Sequence, residues 1–183
     1  MLNTLKSLFD NDYDEDGFRE CSVTGLSIHR SAENLVKLFG LTAVIALIVG
    51  GSFAFTVAMT RWELIGLIPE DGYYTHLSMH AWNVLIFWMV FMEIAILYVG
   101  GPMVLGRKLP VPKVAKAGWL LMVAGAVGVN YSIWTATESG GAAPLLLASV
   151  PLYVPRYFYS TAILLLFGST LASPPFLFPT SLS

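Results

Sequence analysis

Residues 75–98 read THLSMHAWNVLIFWMVFMEIAILY, an apolar run that carries two histidines, an asparagine and a glutamate. A run of about 20 mainly apolar residues is long enough to cross the hydrocarbon core of a bilayer as a helix. Ionisable side chains at that depth are costly, and they usually face a helix bundle, a cavity or a cofactor. The stretch therefore predicts a membrane helix with one functional face.

The composition of the whole chain agrees with a membrane protein. Of its 183 residues 56% are hydrophobic and only 12% are charged, and the mean hydropathy is +0.68. The net charge of -2 comes mainly from the acidic cluster at residues 10–16, and no basic patch interleaved with aromatic residues suggests a nucleic-acid partner. Cys21 is the only cysteine, which excludes an internal disulfide, a CxxC redox pair and a CxxCH haem attachment.

Four apolar segments predict an all-α fold, a polytopic membrane helical bundle. The predicted spans are residues 38–59, 75–99, 117–134 and 157–172. Residues 140–155 contain three prolines, which favour an ordered loop or a re-entrant segment over a straight helix. We divide the chain into an acidic N-terminal tail at 1–30, the membrane helices at 31–172 and an irregular tail at 173–183. The proline-rich tail predicts a truncated or out-of-frame end, or a natural short protein.

The Lys and Arg residues divide unevenly between the two ends of these spans. Eight of the ten precede the first span or lie between the second and third, and the other two are Arg61 and Arg156. Loops rich in Lys and Arg remain in the cytoplasm. The distribution therefore predicts a cytoplasmic N-terminus and a lipid bilayer as the surroundings of residues 31–172.

Three polar side chains share one face of the second span. On a helix His76 and His80 lie roughly 40° apart, and Asn83 lies about 60° to the other side of His80. His80 is interpreted either as a cofactor ligand or as a buried, hydrogen-bonded residue that ties two helices together. For His76 a solvated role, or a hydrogen bond to a bound group, is the preferred interpretation. Asn83, like His76, is also a candidate for supporting a bound group or for a proton path. No residue is assigned a catalytic role.

Two acidic features carry weaker predictions. Glu93 lies about 140° around the helix from His80 and about 20 Å along it, so it does not share the face of His80. Its carboxyl group is interpreted as part of a proton path, as a partner in a hydrogen bond between helices, or as a protonated group without a function. Asp12 to Gly17 matches the opening of a calcium loop, D-x-D-x-D-G. Val23 stands where that loop needs a bidentate glutamate, and a solvated acidic tail is the preferred interpretation.

Three motifs together resemble subunit I of the haem-copper oxidases: TRWEL at 60–64, YYTHLSMHA at 73–81 and YVGGPMVLGRKLPVP at 98–112. The resemblance extends from about Gly25 to Ser169 and implies the N-terminal third of a subunit of about twelve helices. It also implies that His80 binds the iron of a low-spin haem as an axial ligand. The copper site, the high-spin haem ligand and the second axial ligand are expected in helices that this sequence lacks.

The same resemblance sets the expected partners and location. They are the remaining helices of subunit I and an electron-entry subunit similar to subunit II, in a prokaryotic cytoplasmic or equivalent energy-transducing membrane. The parent protein would be a cytochrome c or quinol oxidase, and these residues alone would not reduce oxygen. Three alternatives remain open: a nitric-oxide reductase-like protein, a multi-span scaffold subunit without cofactor, and a cytochrome that binds haem between two identical chains.

Overall fold

The computed structural model describes residues 13–62, 65–109, 111–138, 163 and 166–168. Within these ranges three helices are long and apolar enough to cross a membrane: Arg30–Arg61, Gly72–Met103 and Pro112–Thr135. The predicted helical membrane bundle is thus confirmed, and we call these helices spans one, two and three. The predicted loop at 140–155 and most of the predicted fourth span at 157–172 lie outside the described residues; Ile163 and residues 166–168 are helical.

Span one is a single helix, α1, from Arg30 to Arg61. It begins eight residues before the predicted apolar segment because polar residues build its first turns. His29 has extended backbone angles, and its Nδ1 accepts the amide hydrogen of Ser31 at 3.1 Å, which caps the helix. Glu33 lies in the first turn and Arg61 in the last, where each charge opposes the helix dipole.

Span two alternates between α-helical and π-helical geometry. Helix α2, Glu70–Ala81, leads into a π segment at Trp82–Phe87, and helix α3, Trp88–Tyr98, leads into a second π segment at Val99–Met103. π-Helical geometry occurs mostly as short segments inside α-helices. In the first π segment Nδ2 of Asn83 donates to the carbonyl oxygen of Met79 at 2.7 Å. The second contains Pro102, which has no N–H group to donate.

Span three is helix α4, Pro112–Glu138. Proline suits its first position because the first N–H groups of a helix have no partner within it. Trp119 Nε1 donates to Oγ1 of Thr42 at 3.0 Å and so joins span three to span one. Phe39 of span one packs against Phe91 and Tyr98 of span two, and all three rings are buried. The three spans therefore share one core.

A β-hairpin precedes span one, where the sequence analysis placed a solvated tail. Strands β1, Phe18–Glu20, and β2, Ser27–His29, pair antiparallel, with Phe18 opposite His29. Arg19 holds this hairpin on α1, because its Nε and Nη2 donate to the two carboxylate oxygens of Glu33 at 2.6 and 2.7 Å. In the sequence Arg19 is one of the positive charges that precede the first span, and its pairing with Glu33 was not predicted.

Candidate functional site

His80 lies where spans one and two are closest. Its Nδ1 is 2.9 Å from the carbonyl oxygen of Gly50 in α1. A carbonyl oxygen can only accept, so Nδ1 must carry a proton, and the neutral ring then has its lone pair on Nε2. Within the described part of the chain Nε2 has no hydrogen-bond partner. His80 thus presents a fixed tautomer whose second nitrogen is available as a ligand.

Gly50 makes this approach possible. A Cβ atom at Gly50 would lie 2.5 Å from Cγ2 of Val84, 3.1 Å from Cβ of Asn83 and 3.2 Å from the backbone nitrogen of Val84. By contrast, a Cβ atom at the neighbouring Gly51 would meet nothing within 4 Å. Small residues let the backbones of membrane helices come together in this way. The sequence alone does not distinguish the role of Gly50 from that of Gly51, since both are small residues within the first predicted span.

Asn83 faces span three and pairs with Asn130. Its Nδ2 donates to Oδ1 of Asn130 at 2.7 Å, and Nδ2 of Asn130 donates back to Oδ1 of Asn83 at 3.3 Å. The second N–H of each amide goes to its own helix, from Asn83 to the carbonyl of Met79 and from Asn130 to that of Ala126. All four N–H groups are therefore used. Asn130 was missed in the sequence analysis, although a lone asparagine in an apolar run was a usable signal.

His76 lies one turn from His80, toward the beginning of span two. Its Nδ1 is 2.9 Å from the carbonyl oxygen of Gly72, within its own helix. The ring meets Phe53 of span one and Trp134 of span three edge-on, with centroids 5.3 and 5.8 Å away. The expectation that His76, His80 and Asn83 share a face directed at the other spans is confirmed.

Glu93 does not belong to this face. Its side chain is exposed on the outer side of span two, and among the described residues it makes no hydrogen bond or ion pair. The structure thus agrees with its predicted separation from His80. A role in proton transfer stays a prediction.

The structure offers few other ligands near His80. His29 caps the beginning of span one and precedes Gly50 by 21 positions, which correspond to roughly 31 Å of helix. Among the described residues no group of three or more His, Cys, Asp or Glu side chains could hold a metal ion. In the calcium-loop motif, Asp12 lies outside the described residues, and Oδ1 of Asp14 accepts the amide hydrogen of Phe18 at 2.6 Å. The described residues thus show no cluster of three such ligands around His80.

Comparison with known protein families identifies one match. The family described as Cytochrome C and Quinol oxidase polypeptide I matches residues 34–178. This range contains His76, His80, Asn83, Glu93 and Asn130. Searches of curated proteins and of solved structures found no match. Because the family match covers most of the 183 residues, the chain belongs to this family.

Proposed function

We propose that this family member binds a low-spin haem through Nε2 of His80 and takes part in electron transfer to an oxygen-reducing haem-copper centre. The observation that carries the proposal is the hydrogen bond from Nδ1 of His80 to the carbonyl oxygen of Gly50. Histidines that bind metals commonly donate their other ring N–H to a carbonyl group, which fixes the tautomer and the ring orientation. The bond therefore prepares His80 for ligation.

The residues around His80 fit a haem. Haem needs only one or two axial ligands from the protein, since its macrocycle supplies the other four iron ligands, so one available histidine nitrogen is sufficient. When bound, haem iron accepts and releases one electron, and the protein tunes its potential through the axial ligand, nearby hydrogen bonds and burial. In this chain Gly50 supplies the hydrogen-bond acceptor to His80.

We assign the second axial ligand to a part of the protein outside the described residues. His76 is committed through Nδ1 to Gly72 on the same helix as His80, so it cannot reach the opposite side of a haem plane that His80 binds. His29 is too distant. The copper site, the high-spin haem and an electron-entry subunit similar to subunit II belong to the same proposal, by analogy with the family.

The arrangement of charges supports a cytoplasmic position for the N-terminus. A Cβ atom at Gly106 would lie 3.5 Å from the carbonyl oxygen of Ser27, so the hairpin and the loop after span two lie at the same end of the bundle. Arg107, Lys108 and Lys113 are also at this end. Since Lys and Arg collect on the cytoplasmic side, we place the hairpin there, in a prokaryotic or equivalent energy-transducing membrane.

The scaffold alternative uses the same hydrogen bond, because His80 and Gly50 would join two helices whether or not haem is present. Reduced-minus-oxidised visible spectra of the assembled, purified protein separate the two functions. We expect His80→Ala to remove the low-spin haem band while the chain still inserts, and the control His76→Ala to keep it. Retention of the full band by His80→Ala would disprove haem ligation and favour the scaffold. Oxygen and nitric-oxide consumption by the same preparation distinguish the oxidase from a reductase.

A further inference from the structure

We propose that Asn83 and Asn130 are positioning residues that hold the imidazole of His80 in its ligand orientation. This inference rests on the proposed function and concerns residues that do not themselves touch the haem. Asn83 follows His80 by three residues on span two, and its amide exchanges two hydrogen bonds with Asn130 on span three. The pair thus ties the helix that carries His80 to a second helix within one turn of the ligand.

The N–H donors of the amide pair are fully used. Both N–H groups of Asn83 and both of Asn130 are donated within the described structure, to each other and to the carbonyl oxygens of Met79 and Ala126. Neither side chain has an N–H group left for a substrate, a water chain or a haem substituent. The structure therefore favours a mechanical role for Asn83 over the proton-path role that its sequence position also allowed.

Stability alone does not account for a buried amide at Asn83 paired with a half-buried one at Asn130. Hydrogen bonds between membrane helices contribute little to stability on average, because the separated helices also find partners. Apolar side chains of similar size would fill the same space at nearly equal stability. A reciprocal amide pair differs from an apolar contact in that it fixes the rotation and the register of the two helices, as polar pairs do in coiled coils.

The fixed register is passed to His80 through Gly50. The Cβ atom of Asn83 lies 3.1 Å from the place where a Cβ of Gly50 would be, and the carbonyl oxygen of Gly50 receives the Nδ1 proton of His80. Asn83 is the second residue of the π segment Trp82–Phe87, and its side chain bonds to the carbonyl oxygen of Met79. Asn130, Asn83, Gly50 and His80 therefore form one contiguous set of contacts across the three spans. Rotation of span two about its axis would break the contacts of Asn83 and His80 together.

The test replaces both amides at once. Asn83→Leu combined with Asn130→Leu leaves no buried amide unsatisfied, so insertion and thermal stability should stay close to wild type. Ser132→Ala is the matched control: it removes a buried hydroxyl of span three that bonds only to Gly128 of the same helix. Each protein is purified as the assembled complex, and its haem content, visible spectrum and ferric low-spin electron paramagnetic resonance spectrum are recorded.

We expect the double variant to show shifted low-spin g-values and a displaced reduced band, or to lose the low-spin haem while its melting temperature is unchanged. Ser132→Ala should match wild type. A double variant whose haem content and spectra equal those of wild type would overturn the positioning role without affecting haem ligation. A low-spin band that survives His80→Ala would overturn the proposed function, and the positioning role with it. Should the double variant not accumulate, Asn130→Ala is measured with the same readings.

Discussion

The backbone of Gly50 lies directly against Val84, so that a Cβ atom on Gly50 would be 2.5 Å from Cγ2 of Val84 and 3.2 Å from its backbone nitrogen. The nitrogen belongs to a helix backbone and cannot swing away as a flexible side chain can. A methyl group at position 50 would therefore push spans one and two apart. Such overpacking typically costs about 1–3 kcal/mol.

We expect Gly50→Ala to lower the melting temperature of the purified protein and to weaken the hydrogen bond between His80 and the carbonyl oxygen of residue 50. Gly51→Ala is the control, because a Cβ atom there meets nothing within 4 Å. It should leave the melting temperature unchanged or raise it slightly, since alanine favours a helix more than glycine does. Equal melting temperatures for the two variants would contradict the close packing at Gly50.

The sequence predicts the bundle and the orientation of its polar face well, for a simple physical reason. Helical spacing fixes the angles between His76, His80 and Asn83 on one helix, and the cost of polar groups in hydrocarbon requires that face to turn inward. Both arguments need only local information. The predicted face, with its two histidines and one asparagine, is the face that meets spans one and three.

The sequence does not predict which residues of other helices complete the face. The partners of His80 and Asn83 are Gly50, 30 residues earlier, and Asn130, 47 residues later. Spacing within one helix carries no information on such contacts. The hairpin was missed for a related reason, because Arg19 and Glu33 each look like ordinary flanking charges until they are paired. The π segment at Trp82–Phe87 contains the side-chain bond from Asn83 to Met79, and helix propensity reveals neither of them.

Acidification is predicted to loosen the hairpin from span one through His29. Burial, followed by the positive charge of Lys108, lowers the pKa of His29 from its usual 6.5, although Asp16 and Asp14 act in the opposite direction. A lowered pKa means that the folded hairpin favours the neutral ring. The stability that the neutral His29 ring contributes to the folded hairpin is fully present above pH 6.5. It is lost as the pH falls below this value and through the folded-state pKa of His29.

The hydrogen bond that His29 accepts also predicts that acid destabilises the hairpin. Nδ1 of His29 accepts the amide hydrogen of Ser31 at 3.1 Å, and a proton on Nδ1 would remove this cap. Hydrogen exchange of the hairpin amides, corrected for intrinsic rates, should therefore be faster at about pH 5.5 than at about pH 7.5. His29→Asn keeps a capping side chain without a titrating group, and its corrected exchange should not change between the two pH values. A pH-independent exchange rate in the wild type would refute the role of His29.

The membrane orientation is predicted to leave the loop after span two inside the cell. Lys108 is exposed in this loop, and Tyr74, at the opposite end of span two, is 51% exposed.

The native Cys21 would interfere with labelling at these two positions, because hydrogen bonds from Thr24 and the backbone lower its thiol pKa and favour the reactive thiolate. Single cysteines at positions 108 and 74 are therefore introduced into a Cys21→Ser background. A membrane-impermeant maleimide applied to intact cells should label Tyr74→Cys and leave Lys108→Cys unlabelled until the membrane is opened. Labelling of Lys108→Cys from outside would reverse the proposed topology and place the hairpin, with its cluster of Arg19, Glu33 and Lys37, on the outer surface.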